Sequence, residues 1–195
     1  MRFSPALISS ILIYPLRVFF SNYAGPDLKF DIDPKNSKIE IDSLNNLNKE
    51  AIQPKPRILV NRGTYTVDRV GMSNNLAEGK SPIETKGLKD SVNMVMITGQ
   101  AQIMIEARHE GTMELITDMV SHFIVWSRPA ICNTQGFKEF AMPLSVSDPR
   151  LSKEDREIFQ TVIMVPYIME EHWKVNDDAI KINNIYLDLK RQSSS

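Results

Sequence analysis

An α+β fold, with a mostly antiparallel sheet and helices packed on one face, follows from three features of the sequence. Residues 92–107 and 157–173 are long stretches in which apolar side chains alternate as they do along strands. Between them, Ile116, Met119, Val120, Phe123 and Ile124 recur at the spacing of one apolar helical face. The order of elements, helix, strands, long loop, strand, helix and then strands, is that of an α+β fold.

The 195 residues read as a single domain. Its parts are an N-terminal helix over 1–22, an extended arm or linker over 23–55, an α+β core over 56–190 and a flexible tail over 191–195. A chain of this length buries roughly 70% of its unfolded surface and needs no disulfide or metal to hold a core. Ser4-Pro5 is an N-cap followed by proline at the first helical position, so a helix is expected from Pro5 to about Phe20, bent at Pro15. The uncharged stretch 3–16 resembles a signal-peptide core, but no A-x-A cleavage site follows it, and a packed helix is the preferred reading. It is also too short to span a bilayer of about 30 Å, and no later segment looks transmembrane.

Residues 29–33 and 38–42 alternate charged and apolar side chains, as short strands or paired arm segments do. Residues 57–62 predict a strand, Gly63 a turn, and 64–70 a second strand with Tyr65 and Val67 in one register. Residues 71–89 read as a long polar loop of the kind that is functional or becomes ordered only against a partner. Gly99 marks a bulge or bend within 92–107. The central helix is expected to be capped by Thr112, widened on its apolar face by Leu115 and Trp126, and ended by Arg128-Pro129. Residues 137–146 read as an edge strand because Pro143 cannot donate to a ladder, and 148–156 as a charged turn. Residues 157–173 are apolar in both registers, which suggests a central strand buried on two faces, with Pro166 at a bend or edge. A last strand is expected over 179–189.

Charge narrows the function classes. With 23 Lys+Arg against 24 Asp+Glu the net charge is -1, without the basic surplus of a protein that grips duplex DNA through its phosphates. The single cysteine, Cys132, permits no internal disulfide and has no base beside it, so it reads as a core or boundary residue. His109 and His122 are not at a helical metal-ligand spacing, and in Glu170-Glu171-His172 a strand would turn Glu171 away from its neighbours. Phosphate-loop, dinucleotide, nucleophile-elbow and zinc-helix motifs are absent. Asp31 and Asp33 form a D-x-D pair for which no magnesium partner can be named. No catalytic, cofactor-binding or metal-binding residue is nominated, and the chain is not expected to be an enzyme.

What the sequence does nominate is contact. Arg57, Arg62 and Arg69 border the first strand pair, and Lys80, Lys86 and Lys89 lie on the long loop. Arg128 sits at the expected helix end, and Glu170, Glu171 and Trp173 at the end of the long strand. These ten are interface candidates. Around Arg62 and Arg69 the alternative is a basic strand edge that blocks unwanted pairing. Ten methionines serve as core filler or as a deformable interface.

Two stretches carry a resemblance. One is Glu110-Gly111-Thr112-x-Glu114-Leu115-x-x-Asp118-x-Val120-x-x-Phe123, running on to Arg128-Pro129. The other is Glu157-Ile158-Phe159-Gln160-Thr161-Val162-Ile163, running on to Pro166-Tyr167-x-x-Glu170-Glu171-x-Trp173. With Pro56-Arg57-Ile58-Leu59-Val60 and the N-terminal helix, this resembles the tail-terminator (tail-completion, neck) proteins of long-tailed bacteriophages, over about residues 56–173. A long insertion over 30–55 departs from the compact family pattern.

The resemblance implies a sheet flanked by helices and a structural virion protein without cofactor. It implies a homohexameric ring that caps the tail tube, stops its polymerisation and joins the tail to the neck and head. Its partners would be copies of itself, the tail tube protein, neck and connector proteins and, in contractile tails, the sheath. DNA would only pass through the lumen, no membrane is involved, and assembly would take place in the host cytoplasm. The alternatives are another neck, head-completion or baseplate subunit, and a cytoplasmic ligand-binding or enzymatic α+β domain with a deep polar-lined pocket.

Overall fold

A computed structural model describes residues 7–44, 55–69, 91–135, 137–152 and 157–175, without the side chains of 69, 91–94, 135 and 171–175. The expected loop over 71–89, the last strand over 179–189 and the tail lie outside the described residues.

The elements are α1 (Leu7–Ser21), a short 3-10 turn (Pro26–Leu28), β1 (Glu40–Ser43), β2 (Arg57–Arg69), β3 (Ser91–Ala107), α2 (Glu110–Gln135), β4 (Phe137–Phe140), β5 (Ser145–Val146), β6 (Arg150–Leu151) and β7 (Phe159–Val175). They form the expected α+β fold, with a mostly antiparallel sheet. Its order is β1-β2-β3-β7-β4, and β5 and β6 also pair with β7. The exception to the antiparallel pattern is β1, which runs parallel to β2 with Glu40 opposite Arg57.

The chain divides into two compact units, 1–66 with 98–169 and 67–97 with 170–195. In the second, the described residues are portions of β2, β3 and β7, and Val95 and Ile97 are buried there. The rest of the description concerns the first.

Helix α1 buries Ile8, Leu12, Leu16 and Phe20, one residue per turn, and holds Pro15 within its span. Its Phe19 packs on Phe123 of α2 with ring centroids 4.7 Å apart. Helix α2 buries Met113, Ile116, Val120, Ile124 and Ile131. The matching surface on the sheet is a single register: Ala101, Ile103 and Ile105 of β3, and Thr161, Ile163, Val165, Tyr167 and Met169 of β7. On β7 the other register is mostly half-buried, at Gln160, Met164, Pro166 and Ile168, so full burial on two faces is not what the strand shows.

Several expectations are corrected. Residues 29–33 form no strand. Asp31 and Asp33 instead accept hydrogen bonds from the backbone N–H groups of Asp33 and Lys35, closing successive turns. Gly63 does not end a strand, since β2 runs straight through it. At φ 66°, with its N–H donated to Asn61 Oδ1, it kinks the strand, and a Cβ there would collide with the Gln100 carbonyl oxygen.

Helix α2 starts at Glu110, before Thr112, and continues through Pro129 to Gln135. Proline removes one backbone hydrogen bond, but tertiary anchors outweigh that loss: Ile131 is buried, and Arg128 Nε donates to the Phe140 carbonyl at 3.0 Å. Leu115 and Trp126 do not widen the buried face, being 50% and 81% exposed.

The strand expected over 137–146 is two strands, β4 and β5, separated by Ala141 at φ 56° and a cis Met142-Pro143 bond. That break explains how β7 tolerates Pro166. Phe140 pairs with Tyr167 and Ser145 with Met164, so the proline nitrogen falls opposite the gap, where no ladder bond is required of it. Its carbonyl still accepts from Ala141 N at 2.8 Å. The charged turn over 148–156 contains β6, antiparallel to β7.

Candidate functional site

Three places on the larger unit have marked chemical character, two of them open to solvent and one centred on a buried phenol. The first is an apolar groove of about 640 Å³ between α1 and α2, walled by Pro15, Val18, Phe19, Tyr23 and Phe123. Tyr14 and Trp126 stand at its rim, 71% and 81% exposed. The alternation that drives Ile8, Leu12 and Leu16 inward turns Tyr14 and Val18 outward, so the groove is a consequence of how α1 is patterned.

On the other flank of α1, against β1, lies a half-open cavity of about 690 Å³. Phe30, Ile39 and Ile41 contribute apolar wall, and Arg17, Asp42 and Lys55 contribute charge. Arg17 Nε and Nη2 donate to the Ile41 carbonyl at 3.0 and 2.8 Å, and the guanidinium lies 5.5 Å from the Phe30 ring centroid. Asp42 is a looser partner at 3.7 Å, with both side chains more than a third exposed. Lys55 Nζ donates to the Pro34 carbonyl at 2.7 Å. Both cations are thus held at the mouth by main-chain oxygens.

The third place is centred on Tyr167. Its ring crosses β3 at Gly99, where a Cβ would collide with Cζ and Oη, and stacks edge-on to Phe137 with centroids 6.0 Å apart. The residue is 1% exposed and its hydroxyl has no hydrogen-bond partner among the described residues. Burial pushes the phenol above its ordinary pKa, neighbouring Tyr65 adds to the rise, and the Arg62 guanidinium opposes it. Arg62 lies 5.7 Å from the Tyr65 ring centroid.

The sequence-nominated interface residues do not converge. Arg57 is turned inward, with Nη2 2.7 Å from Glu106 Oε2 and side-chain exposures of 13% and 10%. The oxygen is off the N–H direction, so the contact is an ion pair and not a well-aligned hydrogen bond. Arg128 is occupied with Phe140. Arg62 is exposed. The side chains of Arg69, Glu171 and Trp173, and the whole of Lys80, Lys86 and Lys89, lie outside the described residues. Glu170 is half-buried on β7.

Sequence reasoning missed Tyr14, Trp126, Tyr65 and Tyr167. Trp126 was recoverable, because its place on the helical wheel lies at the border of the apolar stripe. Tyr167 was not, because its significance depends on Gly99, which is far away in sequence.

Among the described residues no cluster of His, Cys, Asp and Glu could hold a metal ion, and no helix is long and apolar enough to cross a membrane. Cys132 is half-buried within α2. Compared with known proteins, the chain matches no family model and no curated protein.

Proposed function

We propose that this chain is a structural subunit that works by docking to copies of itself, as a ring at the end of a tail tube. This is the role implied by its resemblance to the tail-terminator proteins of long-tailed bacteriophages. The observation that carries the reading is the aromatic surface along α1 and α2, where Tyr14 and Trp126 flank an apolar groove. Tryptophan and tyrosine are the side chains that most often dominate the energy of protein interfaces, and a grooved apolar patch beside them is the form such anchors dock into. A knob on one surface entering a groove on another makes a heterologous contact, and heterologous contacts that close produce rings. A net charge of -1 suits a lumen through which DNA passes without being held. The other partners on this reading are the tail tube, neck and connector proteins and, in contractile tails, the sheath.

Labelling the protein in assembled particles tests the assignment. The label is expected at the head-proximal end of the tail, and particles assembled without the protein should carry tails of uncontrolled length. A label elsewhere, with tail length unchanged, removes the terminator role and leaves another neck or baseplate position.

The 690 Å³ cavity favours one other reading, a ligand-binding domain, because its size falls in the range of small-molecule sites. A small molecule retained by the purified protein in native mass spectrometry, and lost in an Arg17→Ala variant, is the result that would promote it.

A further inference from the structure

On the ligand-binding reading of the 690 Å³ cavity, and independently of the ring, we propose that this cavity takes an apolar zwitterion, an amino acid or a short peptide with free ends. Arg17 and Lys55 receive its carboxylate, Glu40 its ammonium, and Tyr14, Val18 and Phe30 its apolar body.

The walls are built by local hydrogen bonding. In α1, Tyr14, Arg17 and Val18 are spaced i, i+3 and i+4, so they stand on one side of the helix. The chain after the helix is fastened back to it, since Phe30 N donates to the Phe20 carbonyl at 3.2 Å. Lys38 N closes the following loop on the Lys29 carbonyl at 2.9 Å. Inside that loop Ser37, 5% exposed, accepts from Asp31 N at 3.1 Å and donates its hydroxyl to the Ile39 carbonyl at 2.6 Å. Lys55 ties down the loop at the Pro34 carbonyl. A hollow walled in this way is preformed, as small-molecule sites usually are.

Both cations are anchored by neutral oxygens and keep donors to spare. Arg17 spends Nε–H and one Nη2–H on the Ile41 carbonyl, and Asp42, 3.7 Å away, is beyond hydrogen-bond reach of it. The other N–H groups of the guanidinium are left for an acceptor. Lys55 spends one N–H on Pro34 and makes no ion pair among the described residues. Glu40 lines the same cavity and is half-buried, and its carboxylate has no hydrogen bond or ion pair among the described residues. Tyr14 and Val18 are 71% and 43% exposed, so their apolar surface is open to a ligand.

The signs of the lining charges decide the class of ligand. Arg17 and Lys55 share the cavity with Asp31, Glu40 and Asp42. A simple anion would meet more acid than base, and a phosphate, with its higher charge, would be repelled more strongly. A simple cation would leave Arg17 and Lys55 unmatched. A zwitterion answers both signs: its carboxylate accepts from the guanidinium and the ammonium, and its own ammonium donates to Glu40. A free amino acid and a short peptide share this chemistry, so the test separates the two sources.

The full chain is titrated calorimetrically with phenylalanine and with the dipeptide phenylalanyl-leucine. The dipeptide is also used N-acetylated, C-amidated and capped at both ends, and glycyl-glycine is the zwitterion without an apolar body. One or both free zwitterions are expected to bind. Each single cap should weaken dipeptide binding roughly tenfold, the usual weight of a hydrogen bond to a charged group, and glycyl-glycine should be silent. In Glu40→Gln the advantage of the free amine over the N-acetylated form should vanish while the advantage of the free carboxylate stays. Arg17→Met should do the reverse. Glu40→Gln removes no internal bond, so it keeps the test decisive if Arg17→Met folds poorly. Equal or tighter binding of phenylalanine assigns the site to a free amino acid, and tighter binding of the dipeptide assigns it to a peptide. The proposal is overturned if no probe binds, if the capped forms bind as well as the free dipeptide, or if Glu40→Gln keeps the preference for a free amine. Binding of the doubly capped form alone overturns the zwitterion while leaving the cavity a ligand site.

Discussion

Replacing Arg57 by methionine, Glu106 by leucine, and both together separates the two opposing terms in the ion pair that joins β2 to β3. The nitrogen and oxygen are 2.7 Å apart. At an effective dielectric constant of about 20 their attraction is about 6 kcal/mol. Taking each charge out of water opposes this by several kcal/mol, so the net worth of the pair is far smaller than its gross attraction. Removing one partner forfeits the attraction but leaves the other charge in a site that keeps its side chain only 10–13% exposed. Each single variant should therefore lose about 3–5 kcal/mol of stability. Because the geometry is not that of a well-aligned hydrogen bond, the lower end of that range is expected. The double variant puts two apolar side chains of similar length where the ions were and should lie within about 1–2 kcal/mol of the parent. The coupling energy is then at least about 4 kcal/mol. Urea unfolding followed by far-UV circular dichroism, at constant slope, gives all four values. Additive losses in the double variant would refute the reasoning, since they would mean that the two residues act through packing and not as a pair.

Gly63→Ala should lower stability by more than the 1–2 kcal/mol or so that a left-handed residue costs, because its Cβ also meets the Gln100 carbonyl; a thermal midpoint equal to the parent's would contradict the kink assigned to β2. Gly99→Ala should cost about 1–3 kcal/mol by overpacking against Tyr167, and adding Tyr167→Leu should recover part of the loss, read as thermal midpoints. The raised pKa of Tyr167 means that the folded state holds this proton more tightly than the unfolded chain does. Its contribution to stability is complete below the unfolded value near 10.0 and falls as pH rises through the folded one. Tyr167→Phe should therefore unfold less steeply above that pH than the parent, and identical alkaline profiles would count against the buried, unpaired phenol.

How much of this was legible in the sequence varied with the range of the interaction involved. Local periodicity was sufficient for the stripe from Ile116 to Ile124 and for the long strands, because each repeats over several turns or pleats, while α1 was legible from an uncharged apolar run and the Ser4-Pro5 start signal. Punctuation was less reliable. Gly63 and Pro129 read as stops, yet the chain runs through both. At Gly63 the neighbouring strand's carbonyl demands a residue without Cβ, and at Pro129 the anchors at Arg128 and Ile131 lie on either side of the proline. Pro166 was assigned to a bend or edge, and the gap between β4 and β5 shows how the interior of a long strand can accept it. The candidate surfaces were the least legible. Arg57 and Arg128 look like free cations in sequence, but one has a carboxylate and the other a carbonyl as partner, both from distant segments. Trp126 reads as part of the buried face because aromatic residues beside an apolar stripe usually are, and only packing decides which side of the border such a residue takes; Tyr14 carries no signal of its own in the sequence.

Native mass spectrometry of the full chain, with and without Trp126→Glu, tests the proposed assembly most directly. Trp126 is 81% exposed, so the substitution should leave the thermal midpoint within about 0.5 kcal/mol of the parent in stability terms. The account predicts a closed oligomer for the parent, a hexamer if the resemblance extends to stoichiometry, and a monomer for the variant. A parent that stays monomeric at every concentration, or a variant that assembles as the parent does, would contradict it.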